Sequence, residues 1–300
     1  MKFKSIISTI TLLCLLFLAS CVYNKKTSLE AFKQDVYTPE YATGFKILGA
    51  KNAQSTLIQV SNPWQGAKNV TMSYFISRNG ELPPTGFTGP TIPAGAQRIV
   101  CMSSSYIAML DAVGQVDRIV AVSGINYIAN PYILAHKDSI KDMGPEMNYE
   151  LLLGLKPDVV LLYGIGDAQT AVTDKLKELA IPYMYVGEYL EESPLGKAEW
   201  LVALSELTDS RDKGIDVFRE IPKRYQALKD LTASVEQRPT VMFNTPWNDS
   251  WVMPSTQSYM VQLVTDAGAD YIYKENTSNS SAPIGLETAY GLIQKADYWI

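Results

Sequence analysis

From residue 98 to the end of the chain, short β-branched and apolar runs alternate with helical stretches, and the alternation occurs twice. Strand signals at 98–102, 118–122, 158–163 and 183–186 are interleaved with helical signals at 106–113, 150–155 and 170–180. Strands that alternate with helices form a mostly parallel sheet covered by those helices. Asp158-Val159-Val160-Leu161-Leu162-Tyr163 is almost wholly apolar, as expected of a strand covered on both faces. The helix before it stops at Lys156-Pro157, because proline disfavours helical backbone in the residue it follows. A second series opens at 240–244, continues through a helix at 259–267, a strand at 271–273 and a helix from Glu287, and ends in a strand starting at Tyr298.

The two series resemble each other in sequence. Ser105-Tyr106-Ile107 leading to Val116-Asp117-Arg118 parallels Ser258-Tyr259-Met260 leading to Ala269-Asp270-Tyr271. Glu150 leading to Lys156-Pro157-Asp158 parallels Glu287 leading to Lys295-Ala296-Asp297. Convergent patterning alone would not readily put Glu at the same helix start and Asp at the same strand start twice. The fold class is therefore α/β: two Rossmann-like lobes with mostly parallel sheets, 98–190 and 238–300, joined by a long helical connector at 191–237. In the connector Phe218, Ile221, Tyr225, Leu228, Leu231 and Val235 recur at helical spacing, and Pro222 should kink or restart the helix. A small β extension and a Pro/Gly-rich connector at 41–97 precede the first lobe. The second lobe has so few strands that a continuation beyond Ile300 is expected. Two lobes on a helical joint are a natural frame for a cleft.

The N-terminus carries a different signal. Lys2 and Lys4 precede an apolar run from 6 to 19, too short to span a bilayer comfortably and proportioned like a secretory leader. Leu18-Ala19-Ser20-Cys21 resembles the lipobox of bacterial lipoproteins. This implies a signal peptide over 1–20, lipidation (palmitate included) at Cys21 and a membrane attachment through several acyl chains. Residues 21–40, mostly polar, read as a tether.

Composition excludes several function classes. A charge of −5 without basic clusters is a poor basis for nucleic-acid binding. His136 is the only histidine, and it lies in a polar stretch, so histidine-based catalysis and His-cluster metal sites are not expected. Outside the leader and the lipid site, Cys101 is the remaining cysteine and reads as a small buried hydrophobe. No catalytic residue, resident cofactor or structural metal is expected, and the chain should be a monomer. Gly164-Ile165-Gly166 after a strand leaves a nucleotide-dependent enzyme as an alternative, although Gln169 stands where a dinucleotide fingerprint needs its third glycine. A ligand-sensing surface lipoprotein without transport is another.

From Arg98 to Ile300 the sequence resembles the substrate-binding proteins of ABC importers for ferric siderophores, haem and cobalamin. Arg98-Ile99-Val100 through Gly124 and Met147-Asn148-Tyr149-Glu150 through Val160 carry the likeness most specifically. The resemblance implies a ligand (iron chelate, haem or cobalamin) held between lobes that move little, and one surface glutamate per lobe that docks on arginines of an ABC transporter permease. Glu150 and Glu287 fall on those positions. A first-turn glutamate also complements the helix dipole, worth about 0.3–1 kcal/mol.

Ligands of open α/β sheets bind beyond the carboxyl ends of the strands. The loops there are 103–106, 124–131, 163–167, 187–189, 245–254 and 277–285. They carry the ligand-contact candidates Ser104, Tyr106, Tyr127, Tyr163, Tyr189, Trp247 and Trp251. Aromatic faces suit large flat ligands, and Tyr127, Tyr163 or Tyr189 could ligate haem iron. None of these loops has an Arg, so a strongly anionic tris-catecholate complex fits less well than cobalamin, haem or a hydroxamate chelate.

Overall fold

The computed structural model describes residues 27–144, 146–164, 169–278 and 280–300. The leader, Cys21 and most of the Gly164-Ile165-Gly166 motif lie outside them. No described helix is long and apolar enough to cross a membrane.

A first sheet is formed by β1 (Gln34–Tyr37), β2 (Phe45–Gly49), β3 (Thr56–Ser61), β4 (Thr71–Ser77) and β5 (Thr91–Pro93) in that spatial order. The first four strands are antiparallel, and β5 joins β4 in parallel. Strand β1 falls inside the stretch read as a tether: it pairs with β2, and Phe32 just before it is buried. Both faces of this sheet are covered. Phe45, Ile47, Ile58, Val60, Tyr74 and Ile76 belong to one core with the first lobe, while Phe32, Leu48, Leu57 and Phe75 form a separate cluster on the other face. The expected extension is thus a layer of the first lobe.

The first lobe is a parallel sheet of β6 (Ile99–Cys101), β7 (Ile119–Val122), β8 (Lys141–Asp142), β9 (Val159–Leu162) and β10 (Tyr183–Tyr185), in the order β10-β9-β6-β7-β8. Its helices are α1 (Ser104–Ala112), α2 (Pro131–Ala135), α3 (Tyr149–Leu155) and α4 (Gln169–Glu178). Cys101 is buried, and burial pushes its thiol up. The second lobe repeats the central three strands: β11 (Thr240–Met242) lies between β14 (Asp270–Tyr271) and β16 (Tyr298–Trp299), all parallel. Beside it β12 (Pro246–Trp247), β13 (Ser250–Met253) and β15 (Ala282–Gly285) form a small antiparallel sheet.

The segment between the lobes is two helices with different environments. Helix α5 (Pro194–Leu207) is apolar on most sides, and Trp200–Leu207 is continuously buried, as such a helix must be. Helix α6 (Arg211–Leu231) continues through Pro222 without the expected restart. Gly214 lets α5 and α6 approach, since a Cβ there would meet the Ser205 Oγ at 2.3 Å. Along α6 the predicted apolar stripe is buried at Phe218 but emerges at Leu228 and Leu231. At that end α6 is tied to the second lobe by Asp266, which accepts from the Tyr225 hydroxyl (2.7 Å) and Lys229 (2.9 Å).

Three buried glutamates fasten the first sheet to α5 and the turn before it. Glu199 accepts the Tyr37 hydroxyl and the amides of Glu40, Tyr41 and Ala42, at 2.6–2.8 Å. Glu191 accepts the amides of Thr43 and Gly44 and the Trp200 indole. Glu206 takes the Thr56 hydroxyl, Arg78 and Arg211. A buried carboxylate is tolerated when its lone pairs are filled in this way. Gly44 is required for the approach, because a Cβ there would lie 2.8 Å from the Trp200 ring.

Candidate functional site

Where the two lobes and the first sheet meet, a cleft of about 190 Å³ is lined by residues from all three. The first lobe gives Tyr189 and Leu190, in a single 3-10 turn beyond the carboxyl end of β10. The second lobe gives Pro254, Ser255, Ser258, Tyr259, Met260, Ser280 and Ser281, and the first sheet gives Gln65 from its β3–β4 loop. None of these side chains carries a formal charge at neutral pH.

Each wall is held by local chemistry. Helix α7 (Tyr259–Asp266) starts at Ser258, whose side chain caps the Val261 amide, so Tyr259 and Met260 project from a fixed first turn. Asn276, itself buried, donates to the carbonyls of Met253 and Ser280 and so joins the two second-lobe loops. The Tyr189 hydroxyl donates to the Gly164 carbonyl and accepts the Gln65 amide at 3.2 Å. Burial, opposed by those two bonds, pushes Tyr189 up to about 12, so the hydroxyl stays protonated at neutral pH. That hydroxyl is therefore engaged on both sides, by the Gly164 carbonyl and the Gln65 amide. Next to it, buried Glu188 pairs with Lys197 at 3.2 Å, and the Lys197 ammonium lies 4.6 Å from the Tyr259 ring centroid. Lys197 therefore bridges the lobes.

The remaining sequence candidates are dispersed. Tyr106, expected to face a ligand, is fully buried instead, and its hydroxyl donates to the carbonyls of Leu162 and Val186. Trp251, expected in the same role, is also a core residue: its indole donates to the Phe243 carbonyl, and its ring packs on Trp299 and Tyr290. A strand residue whose polar atom is matched internally has little reason to reach a ligand. Ser104 is exposed in the first turn of α1. Tyr127 and Trp247 are 94% and 73% exposed, Tyr163 is 41% exposed, and none of the three lines the cleft. Several cleft residues lie in loops that the sequence singled out, Ser280 and Ser281 among them. Gln65 gave no such signal, because its place depends on how the first sheet docks.

Glu150 and Glu287 are both exposed in the first turns of equivalent helices, α3 and α8 (Leu286–Ile293). Each of these helices leads into the strand flanking the central one of its lobe.

Residues 99–300 match the family described as Periplasmic binding protein. An uncharacterized lipoprotein of Methanocaldococcus jannaschii is 25% identical over 269 residues, covering 80% of this chain and 64% of the relative. The chain thus spans less than two thirds of that relative's length. A periplasmic binding protein from Veillonella parvula superposes with a TM-score of 0.59 at 15% identity, over 82% of this chain and 77% of that one. The structure described as an ABC-type Fe3+-hydroxamate transport system from Saccharomonospora viridis gives a TM-score of 0.54 at 16% identity, over 71% and 76%. At these identities the likeness establishes the fold.

Proposed function

The chain belongs to the periplasmic binding protein family, and on that premise we propose that it is a lipid-anchored extracytoplasmic receptor. It captures an iron complex (a ferric siderophore or haem) or cobalamin in the cleft and delivers it to an ABC-type permease. The family and its structural neighbours are solute-binding proteins, not enzymes. A relative is named a lipoprotein, which agrees with attachment through Cys21.

The observation that carries this reading is the matched pair Glu150 and Glu287, one exposed carboxylate on the equivalent helix of each lobe. A two-point contact of this kind suits a permease that grips both lobes at once. The uncharged cleft favours a ligand of low net charge, hence a hydroxamate chelate or cobalamin over a tris-catecholate. Pockets that enclose drug-sized ligands are about 300–1,000 Å³, so the lobes separate somewhat to admit one. Exchanging both glutamates, Glu150→Arg with Glu287→Arg, should abolish uptake while folding and ligand binding persist. Uptake unchanged in that variant would sink the importer reading.

A further inference from the structure

We propose that the N-terminal β layer is a third wall of the ligand cleft, with Gln65 as a ligand contact that sets specificity. The inference rests on the ligand-binding reading of the cleft, and goes beyond a site made by two lobes alone. Gln65 lines the same space as Tyr189 and Leu190 of the first lobe and Ser255, Ser258 and Ser281 of the second.

Its loop is built to hold a fixed position. The Asn62 amide donates to the Val70 carbonyl at 2.7 Å, the Asn62 side chain accepts the Val70 amide at 3.2 Å, and the Ala67 amide donates to the Trp64 carbonyl at 3.0 Å. Trp64 packs on Tyr185 of the first lobe, with ring centroids 5.5 Å apart. The Gln65 amide is shared between the Gly164 carbonyl (3.1 Å) and the Tyr189 hydroxyl (3.2 Å). The backbone of Gln65 is thus bonded to the first-lobe residue that itself lines the cleft. Elsewhere in the layer, Glu191, Glu199 and Glu206 fix it to α5 and the turn before it. Contacts preorganised on rigid elements lose little entropy when a ligand arrives.

The chemistry offered is an uncharged primary amide, one acceptor and two donors, beside serine hydroxyls. It would recognise a ligand presenting amide, hydroxamate or hydroxyl groups without net charge.

The test titrates the full chain with ferric desferrioxamine, haemin and cyanocobalamin, following tryptophan fluorescence. Four variants are compared: Gln65→Ala, Gln65→Trp, Ser281→Trp on the opposite wall and Lys68→Ala on the same loop outside the cleft. Thermal midpoints confirm that each folds. For the probe that binds, Gln65→Ala should weaken affinity about tenfold, the scale of one lost hydrogen bond. Gln65→Trp and Ser281→Trp should each weaken it more than about a hundredfold by filling the space, and Lys68→Ala should leave it unchanged. If Gln65→Trp binds like the unaltered chain while Ser281→Trp does not, the third wall is overturned and the cleft between lobes stands. If Ser281→Trp also binds normally, or no probe binds the unaltered chain, the cleft reading fails and takes the wall with it.

Discussion

The two lobes share a clasp but differ in what surrounds it. In the first, Asp158 accepts the amides of Gln97 and Arg98 at 2.7 and 2.9 Å and returns its own amide to the Arg98 carbonyl. In the second, Asp297 accepts the amide and hydroxyl of Thr240 at 2.7 and 3.0 Å and returns its amide to the Thr240 carbonyl. The partner residue also bonds the chain near the end of the helix that leads to the Asp: the Arg98 side chain donates to the Leu155 carbonyl, and the Thr240 hydroxyl to the carbonyl of Lys295, just beyond α8. The repeated Asp therefore ties the start of its strand to the start of the central strand in each lobe, and there the sequence repeat and the geometry agree. Tyr106 and Tyr259, also matched in sequence, diverge. The first is the third residue of α1, under a five-stranded sheet; the second is the first residue of α7, at the cleft. The hydrogen-bonded clasp is common to both lobes, whereas the fate of the matched tyrosines follows the layers around them.

The tyrosine pair is where that contrast breaks most visibly. Tyr106→Ala should lower stability by about 3–5 kcal/mol, the usual range for emptying a large aromatic site in a core. Tyr259→Ala should cost about 1 kcal/mol or less, chiefly the lost cation–π contact, while weakening ligand binding. Chemical denaturation of both variants checks this, and equal losses would erase the distinction.

The bridge between lobes comes next. Lys197→Met removes the partner of Glu188, whose side chain is only 2% exposed. Stranding a buried charge typically costs 3–5 kcal/mol; with Lys197 itself partly exposed, about 3 kcal/mol is expected, read from the denaturation midpoint. Restoration by the second change Glu188→Gln would identify the stranded charge as the cause.

The smallest effect is a pH dependence in the second-lobe clasp. The Thr240 amide, then its hydroxyl, hold the Asp297 carboxyl below the usual carboxylate range. A depressed folded value stabilises fully above the unfolded value, about 3.9, and is lost as pH falls through the lower folded one. Between pH 6 and 3, thermal midpoints of Asp297→Asn should therefore fall less steeply than those of the unaltered chain. Parallel slopes would mean that the clasp contributes nothing.

Much of this architecture was legible in the sequence, because parallel strands buried on both faces leave apolar runs such as Val159–Leu162. The β12-β13-β15 sheet was not: its strands are short and half exposed, and β13 pairs with a segment some thirty residues on. Strand β1 was hidden by its polar outer face. Pro222 did not break α6, although the Phe218 carbonyl loses its helical donor there. At the candidate site, the loops beyond the strand ends hold Tyr189, Pro254, Ser280 and Ser281, whereas Ser255, Ser258, Tyr259 and Met260 lie outside the loops that the sequence singles out. Tyr106, in the first turn of α1, and Trp251, within β13, were expected at the ligand but are core residues, because an aromatic near a loop fits a core and a ligand equally well until its polar atom is traced. Gln65 was invisible, since docking of the first sheet depends on glutamates more than a hundred residues away.

The most direct measurement is amide hydrogen exchange of the full chain with and without the probe that it binds. A ligand held between lobes and β layer should protect 187–191, 254–260 and 280–285 together with 62–67, and leave the exposed hairpin at Trp247 unchanged. Protection confined to one lobe, or centred on that hairpin, would contradict a cleft formed by all three regions.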